Sequence, residues 1–201
     1  MHKILFSAVA AATLSACSGI ESRDWTSSGF VTAGAGGITH SLSNLNSGSS
    51  NGTVGTVHYL SGTDNGAQAL AALGTDVNTG APISETFYYY GPWGVRGIRN
   101  ITVTETSSTT GFLSGENFSD NGDIALVADY GAGTIEGSAI GSFGTLTVNG
   151  TFSGTDIGGT ATYDGKTASL DGLLGTQGAV GIFQGNTDDW VMAGGFAADL
   201  D

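Results

Sequence analysis

The fold is decided by the stretch GAVGIFQGNTDDWVMAGGFAADLD, residues 178–201. It contains a short apolar run, the polar turn GNTDD, and a second apolar run that carries the sequence GGFAA. Two apolar runs joined by a short polar turn are typical of a β-hairpin. We therefore predict strands at residues 179–183 and 190–198, with Phe183 and Phe196 packed in a core.

The alternation of apolar and polar side chains continues upstream of this hairpin. Residues 145–152 place Leu146 and Val148 on one face and polar side chains on the other, and residues 123–130 repeat the pattern. A period of two predicts strands, and about eight of them follow from residue 97 at the spacing of consecutive hairpins. An open sheet of that size would leave exposed edges. We therefore predict an all-β fold, a single antiparallel up-and-down β-barrel of about eight strands.

The sequence before the regular strands is harder to assign. Residues 66–73, GAQALAAL, are the only candidate for a helix, at about two turns, and residues 41–52 have the least tendency to order. Residues 87–90 predict a strand that the sequence Gly-Pro-Trp-Gly at residues 91–94 interrupts with a turn.

The N-terminus has the features of an export signal. Lys3 precedes an apolar segment, residues 4–12, that is too short to span a bilayer. The sequence LSAC that ends at Cys17 resembles a bacterial lipobox, in which the cysteine becomes a lipidated first residue. Cys17 is the only cysteine, so it cannot close an intrachain disulfide. We predict lipidation at Cys17 by acyl chains such as palmitate; an ordinary secretory signal is the alternative.

These patterns divide the chain into three parts. Residues 1–16 are a lipoprotein signal peptide, residues 17–84 are a lipidated flexible tether with a small β-rich handle as an open alternative, and residues 85–201 are the barrel. Ser18 after the cysteine implies the outer membrane by the enterobacterial sorting pattern. Display at the cell surface and a periplasmic orientation both stay open.

Charge limits the partners of the chain. The sequence carries 5 Lys and Arg against 18 Asp and Glu, for a formal net charge of −13. Such a chain repels phosphate backbones, so we expect no nucleic-acid partner. A solubilising acidic surface is the simplest interpretation of this charge.

Several glycine-rich segments resemble a known family. They are residues 122–140, the units GSFG at 141–144 and GTFSG at 150–154, and the closing hairpin with its Gly181, Phe183, Gly185, Gly195 and Phe196. Together they resemble the β-barrel domain of transferrin-binding protein B-like surface lipoproteins, and factor H-binding protein carries a similar barrel. Asn186 stands where that family usually has proline. The resemblance implies a lipid-anchored barrel; transferrin binding does not carry over, since family members with two lobes contact transferrin mostly through the N-lobe.

Residues for catalysis or metal binding form no recognisable pattern. His40 and His58 lie eighteen positions apart without a cysteine or a closely spaced carboxylate beside them, and the carboxylates at Asp188 and Asp189 lie in a turn. We expect no enzyme activity, no metal site and no cofactor. Haem ligation by the two histidines is the open alternative.

Aromatic residues and arginines concentrate just before the regular strands. Since a narrow barrel is filled by side chains, binding is expected at loops. We predict ligand contacts in the aromatic segment; for individual members such as Phe87, core packing is the alternative. The predicted ligand-binding residues are Tyr88, Tyr89, Tyr90, Trp93 and Arg96.

The sequence therefore favours a non-enzymatic, outer-membrane-anchored lipoprotein. It would bind a host or environmental protein, or a haem- or iron-bearing ligand, through its barrel loops. A structural envelope lipoprotein without a soluble ligand is the alternative. A barrel integral to the membrane is disfavoured, because the strands show no apolar outward band with aromatic girdles.

Overall fold

The computed structural model describes residues 30–31, 39–40, 43–64, 67–75, 85–107 and 110–201, and every regular element in them is a β-strand. The strands are β1 (Phe30–Val31), β2 (Thr39–His40), β3 (Ser43–Gly52), β4 (Gly55–Asp64), β5 (Ala67–Thr75), β6 (Thr86–Ser107), β7 (Thr110–Asp129), β8 (Thr134–Ile140), β9 (Thr145–Ser153), β10 (Asp156–Tyr163), β11 (Lys166–Leu174), β12 (Gly178–Asn186) and β13 (Trp190–Leu200). The predicted signal peptide and Cys17 lie outside the described residues. Among those residues, no helix has the length and apolarity needed to cross a membrane.

Strands β6 to β13 form a closed barrel. Each strand pairs antiparallel with the next, and β13 pairs back with β6, from Trp190 beside Arg99 to Leu200 beside Tyr89. Every barrel strand thus has a neighbour on both sides, which closes the sheet without a continuous free edge. The predicted all-β fold with a single up-and-down barrel of eight strands is confirmed.

The barrel interior is filled by the apolar face of each strand. Leu126 and Ala128 of β7 and Leu146 and Val148 of β9 are fully buried, as the predicted alternation requires, whereas Val127 is 40% exposed. Each large apolar side chain buried in this way contributes about 1.5–3 kcal/mol. The largest buried side chains are Trp93, Tyr89, Phe183 and Phe196.

The closing hairpin joins β12 to β13 as predicted, and its register explains its glycines. Gly181 lies opposite Phe196, and Gly194 lies opposite Phe183. A Cβ atom at either glycine would overlap the phenylalanine ring on the opposite strand. Each ring therefore occupies the space that the missing side chain leaves, a known way of stabilising glycine in strands.

Strand β6 corrects the predicted turn at residues 91–94. It runs without interruption from Thr86 to Ser107, and the ladder to β13 omits pairs at Gly91 and Pro92. Proline has no N–H to donate, so it fits in a strand where the ladder lapses. A Cβ at Gly91 would overlap the carbonyl oxygen of Ala197, so glycine allows the close approach of β13. The turn prediction is wrong because Gly91 and Pro92 are both accommodated within a continuous strand.

A three-stranded antiparallel sheet of β3, β4 and β5 packs against the outside of the barrel. Val54 and Val57 form an apolar cluster with Val180 of β12 and Ala197 of β13. The hydroxyl of Ser50 donates a hydrogen bond to the carbonyl oxygen of Gly195 at 3.3 Å. As a result, residues 191–198 of β13 are buried on both faces.

This sheet corrects two expectations for the upstream sequence. Of the segment expected to be helical, residues 66–73, the described residues 67–73 form most of β5, which pairs with β4 from Ala67 to Thr75. A two-turn helix has little stability of its own, and backbone pairing with a neighbouring strand outweighs its propensity. Residues 43–52, expected to be the least ordered, form β3.

Candidate functional site

Four connections gather at one end of the barrel, because neighbouring strands run in opposite directions. They are the β8–β9 connection at residues 141–144, the β10–β11 turn at 164–165, the β12–β13 turn at 187–189, and the continuation of β6 and β7 beyond Arg99. We call this the mouth end and residues 141–144 the mouth loop. The barrel strands begin with Thr86 and finish with Leu200 at the opposite end.

The mouth loop is held by the carboxylate of Asp120 on β7. Asp120 is 4% exposed, and its oxygens accept five hydrogen bonds of 2.8–3.1 Å. One comes from the hydroxyl of Tyr163 at 2.9 Å. The others come from the backbone N–H groups of Asn121, Ser142, Phe143 and Gly144. A buried carboxylate with this many donors fixes the loop backbone relative to the barrel wall.

These contacts also set the ionisation of the two side chains. Burial raises the pKa of Asp120, but the hydrogen bonds from Phe143, Tyr163 and the neighbouring N–H groups outweigh it, so the pKa lies below its ordinary value of 3.8. Burial raises the pKa of Tyr163, and the Asp120 carboxylate raises it further. At neutral pH the pair is therefore a carboxylate and a neutral phenol donor.

The mouth loop displays large apolar side chains to solvent. Phe143 is 81% exposed, and Ile140 at the end of β8 is 84% exposed. Both exceed in exposure every other large apolar side chain whose burial is described. Because the backbone between them is anchored by Asp120, these side chains are presented on a fixed support.

A cavity of about 390 Å³ opens at the mouth end beside this loop. The rings of Phe118 and Tyr163 stack in its wall, with centroids 5.9 Å apart and planes 6° apart. Arg99, Lys166 and Phe143 also line it. The sequence predicts that side chains fill the narrow barrel and that binding occurs at its loops; this cavity lies at the end of the barrel, beside the mouth loop.

Both cationic groups of the cavity have acidic neighbours. Arg99 Nε lies 3.4 Å from Glu116 Oε2, and Lys166 Nζ lies 3.5 Å from Asp164 Oδ2. The Arg99 and Glu116 side chains are 49% and 63% exposed. Exposed pairs of this length contribute about 0–1 kcal/mol, so Glu116 does not hold Arg99 firmly. The Lys166 side chain is 21% exposed, and its Nζ also contacts the carbonyl oxygen of Asp164 at 3.4 Å.

Two of the predicted ligand-binding residues point into the barrel. Tyr89 and Trp93 are each 1% exposed. The Tyr89 hydroxyl donates to the carbonyl oxygen of Gly175 at 2.9 Å and lies 3.1 Å from the hydroxyl of Tyr130. Burial raises the pKa of Tyr89. These two side chains pack the core and do not reach an external ligand.

The other three predicted residues lie on the outer face of β6. Tyr88 is 59% exposed and Tyr90 is 53% exposed, while Arg96 is half-buried. A hydrogen bond with Asp123 raises the pKa of Tyr90. These residues lie along a strand, not on a loop, and a binding role for them stays a prediction.

The remaining predicted sites are not brought together. Within the described residues, no group of three or more His, Cys, Asp or Glu side chains could hold a metal ion. His58 lies on β4 opposite Ser49 and Leu73, and His40 lies on β2. The lipidation site predicted at Cys17 lies outside the described residues.

The sequence does carry a signal for the mouth, although the predicted site did not include it. Asp120 shares the even-numbered positions of Ile124 and Leu126, so the β7 pattern directs a carboxylate inward. Phe143 stands between small residues in a turn, where a large apolar side chain has nothing to pack against. An inward acid and an outward phenylalanine both depart from the alternation around them.

No protein-family model matches this chain, and comparison with curated proteins finds no match either. Comparison with solved structures does find similar proteins. A Phe-171-Ala mutant of transferrin-binding protein B from Actinobacillus pleuropneumoniae H49 is 16% identical with a TM-score of 0.48, over 80% of this chain and 82% of that one.

Two further neighbours are longer proteins. Isotype 1 transferrin-binding protein B from serogroup B Neisseria meningitidis is 11% identical with a TM-score of 0.42, over 83% of this chain and 38% of that one. The haemoglobin receptor HpuA from Kingella denitrificans is 13% identical with a TM-score of 0.41, over 72% of this chain and 55% of that one. Transferrin-binding protein B, whose barrel the closing hairpin resembles, is thus among the structural neighbours of this chain.

Proposed function

We propose that this chain is a lipid-anchored lipoprotein of the outer membrane that binds a soluble protein through the mouth end of its barrel. The observation that carries the proposal is the mouth loop, which Asp120 anchors: Phe143 in it and Ile140 just before it are both more than 80% exposed. Cys17 supplies the anchor in this proposal, through the lipobox that the sequence resembles.

The energetic argument starts from the exposed apolar side chains. Burying a phenylalanine or isoleucine of this kind in a partner's pocket contributes about 1.5–3 kcal/mol. Aromatic anchors of this type dominate many interfaces as hot spots. Since Asp120 already fixes the loop, association does not have to order it, and that lowers the entropic cost of binding.

Charge indicates the kind of surface that fits. The chain as a whole carries −13, yet Arg99 and Lys166 both lie beside the mouth loop. A partner whose apolar pocket has acidic groups at its rim would complement this end. Such charges raise the association rate and fix orientation more than they add affinity.

The binding claim is tested with the lipidated protein in detergent micelles, immobilised for interferometry. Human transferrin and haemoglobin are the first probes, followed by fractionated serum. We expect Phe143→Ser to weaken the affinity for the captured protein at least tenfold, because a hot-spot residue contributes about 2 kcal/mol or more to binding. Leu200→Ser is the matched control, since Leu200 is 44% exposed at the opposite end.

The outcomes of this binding experiment have distinct meanings. Loss of affinity in both variants, or in neither, places the interface away from the mouth loop. Failure of the intact protein to bind any fraction favours the structural envelope lipoprotein.

The location is tested separately in cells. Cys17→Ala is expected to shift the protein from the membrane pellet to the soluble fraction, because the acyl chains supply its membrane affinity. Protease treatment of intact cells then reports which face is occupied. A Cys17→Ala protein that stays in the membrane pellet contradicts the anchor.

A further inference from the structure

We propose that the cavity at the mouth end binds a small organic carboxylate with an aromatic body. This site adjoins the protein interface proposed above and shares Phe143, Arg99 and Lys166 with it. No ligand of this class follows from the barrel fold itself; the proposal depends on the side chains that line this cavity.

Size and apolar lining come first. At about 390 Å³ the cavity falls within the range of roughly 300–1,000 Å³ that is typical of small-molecule sites. Its wall contains the stacked rings of Phe118 and Tyr163, and Phe143 stands at its rim, 81% exposed. Planar apolar bodies pack favourably against such rings, in offset or edge-on geometry.

The polar lining consists mostly of hydrogen-bond donors. Arg99 and Lys166 are donors only, and Asn117 and Ser119 can donate as well. Asp164 is the one carboxylate in the lining. Asp120, which lies beside the cavity, already accepts five hydrogen bonds. A donor-rich cavity favours a ligand that only accepts, and a carboxylate matches the fork of an arginine.

The present partners of the cations do not prevent this. Arg99 makes one contact of 3.4 Å with Glu116, and Lys166 Nζ contacts the carbonyl oxygen of Asp164 at 3.4 Å and its carboxylate at 3.5 Å. Because an exposed pair contributes about 0–1 kcal/mol, a ligand carboxylate can replace Glu116 beside Arg99 at little loss.

The described cationic side chains are concentrated at this cavity. Side chains are described for three of the chain's five Lys and Arg residues, namely Arg96, Arg99 and Lys166, and two of these three line the cavity. In a protein of net charge −13, this end is where an anion meets the least repulsion.

The test uses the complete mature chain made soluble by Cys17→Ala, at low ionic strength, with 2-naphthoate as the probe and 2-naphthamide as its neutral counterpart. Titration calorimetry is expected to show saturable 2-naphthoate binding and an affinity for 2-naphthamide that is weaker by about tenfold or more. Arg99→Gln is expected to weaken the affinity for 2-naphthoate by about tenfold and to leave the affinity for 2-naphthamide unchanged. Lys166→Gln repeats the test from the other side of the cavity.

Gln177→Glu is the matched control, because it makes the same change of one charge at an exposed position at the opposite end. It should leave 2-naphthoate affinity within about twofold. Equal binding of the two probes, no saturable binding by the folded protein, or equal losses in Gln177→Glu and Arg99→Gln would each overturn the proposal.

One variant separates this proposal from the protein interface. Ile140 is 84% exposed and does not line the cavity. Ile140→Ser is therefore expected to weaken protein capture and to leave 2-naphthoate binding intact. Loss of protein capture in Ile140→Ser with 2-naphthoate affinity unchanged would show the two sites failing independently.

Discussion

One carboxylate organises the mouth of the barrel at the residue scale. The β7 alternation predicts that Asp120 faces inward, since it shares its face with Ile124. The sequence does not reveal what meets it there. Its donors in the mouth loop lie 22 to 24 positions further along the chain, and their approach depends on how β7 and β8 diverge. Local pattern predicts direction, whereas the partner depends on the closed barrel.

Asp120→Asn should destabilise the protein, because its NH₂ group faces N–H donors that then lose their acceptor. We expect the free energy of unfolding to fall by about 3 kcal/mol in urea denaturation. Amide exchange at Phe143 should accelerate. Asp156→Asn, at an exposed position of the opposite end, is the control and should change stability by less than about 0.5 kcal/mol. Equal stability of Asp120→Asn and wild type would contradict the anchoring role.

The same carboxylate predicts a pH dependence. Its pKa in the folded protein lies below its ordinary value of 3.8, so the ionised form is favoured by folding. The stabilisation is therefore complete above about pH 5 and is lost as the pH falls through the folded-state pKa. Urea midpoints from pH 7 to pH 2.5 should show the gap between wild type and Asp120→Asn closing at low pH. A gap that widens on acidification would reverse the assigned sign.

At the scale of strands, local pattern succeeds where the alternation is strong. Strand β9 is predicted from its period of two, and β12 and β13 are predicted from two apolar runs joined by a polar turn. The prediction fails at residues 91–94 and at residues 66–73, where composition suggests a turn and a helix. In both places pairing with a distant strand decides the outcome, and a single segment does not contain that information.

Gly194 tests how tightly β13 fits its neighbours. A Cβ there would overlap the Phe183 ring and lie 2.5 Å from the carbonyl oxygen of Gly94. Gly194→Ala should therefore lower stability by about 1–3 kcal/mol, since backbone on a neighbouring strand must move. Gly158→Ala is the matched control, because a Cβ there has nothing within 4 Å. Thermal unfolding that ranks the two variants equally would contradict this packing argument.

At the scale of the whole molecule, the outer sheet and the barrel share a core. The resemblance noted in the sequence implies a barrel with an anchor, and both the barrel class and its closing hairpin are predicted correctly. From the sequence, the sheet of β3 to β5 is only an open alternative, a small β-rich handle, because the partners of Val54 and Val57 lie on β12 and β13, more than 120 positions away.

Val57 tests the contact between the sheet and the barrel. It is fully buried against Val180 and Ala197. Val57→Asp places an unpaired acid there, so we expect stability to fall by about 2–4 kcal/mol and limited proteolysis to cut the outer sheet first. Asn51→Asp adds the same charge at an exposed position of β3 and should leave both measurements unchanged. Uniform resistance to proteolysis in Val57→Asp would show that the sheet does not depend on this contact.

The glycine and phenylalanine pairs of the closing hairpin have a consequence for how the sequence can diverge. A methyl group at position 181 requires a side chain smaller than phenylalanine at position 196. A smaller side chain at position 196 leaves a void unless position 181 carries a larger residue than glycine. A double-mutant cycle of Gly181→Ala and Phe196→Leu should give a favourable coupling of about 1–2 kcal/mol; additive effects would contradict it. The two positions then behave as one inherited unit, so descendants of this chain would exchange both residues together or keep both.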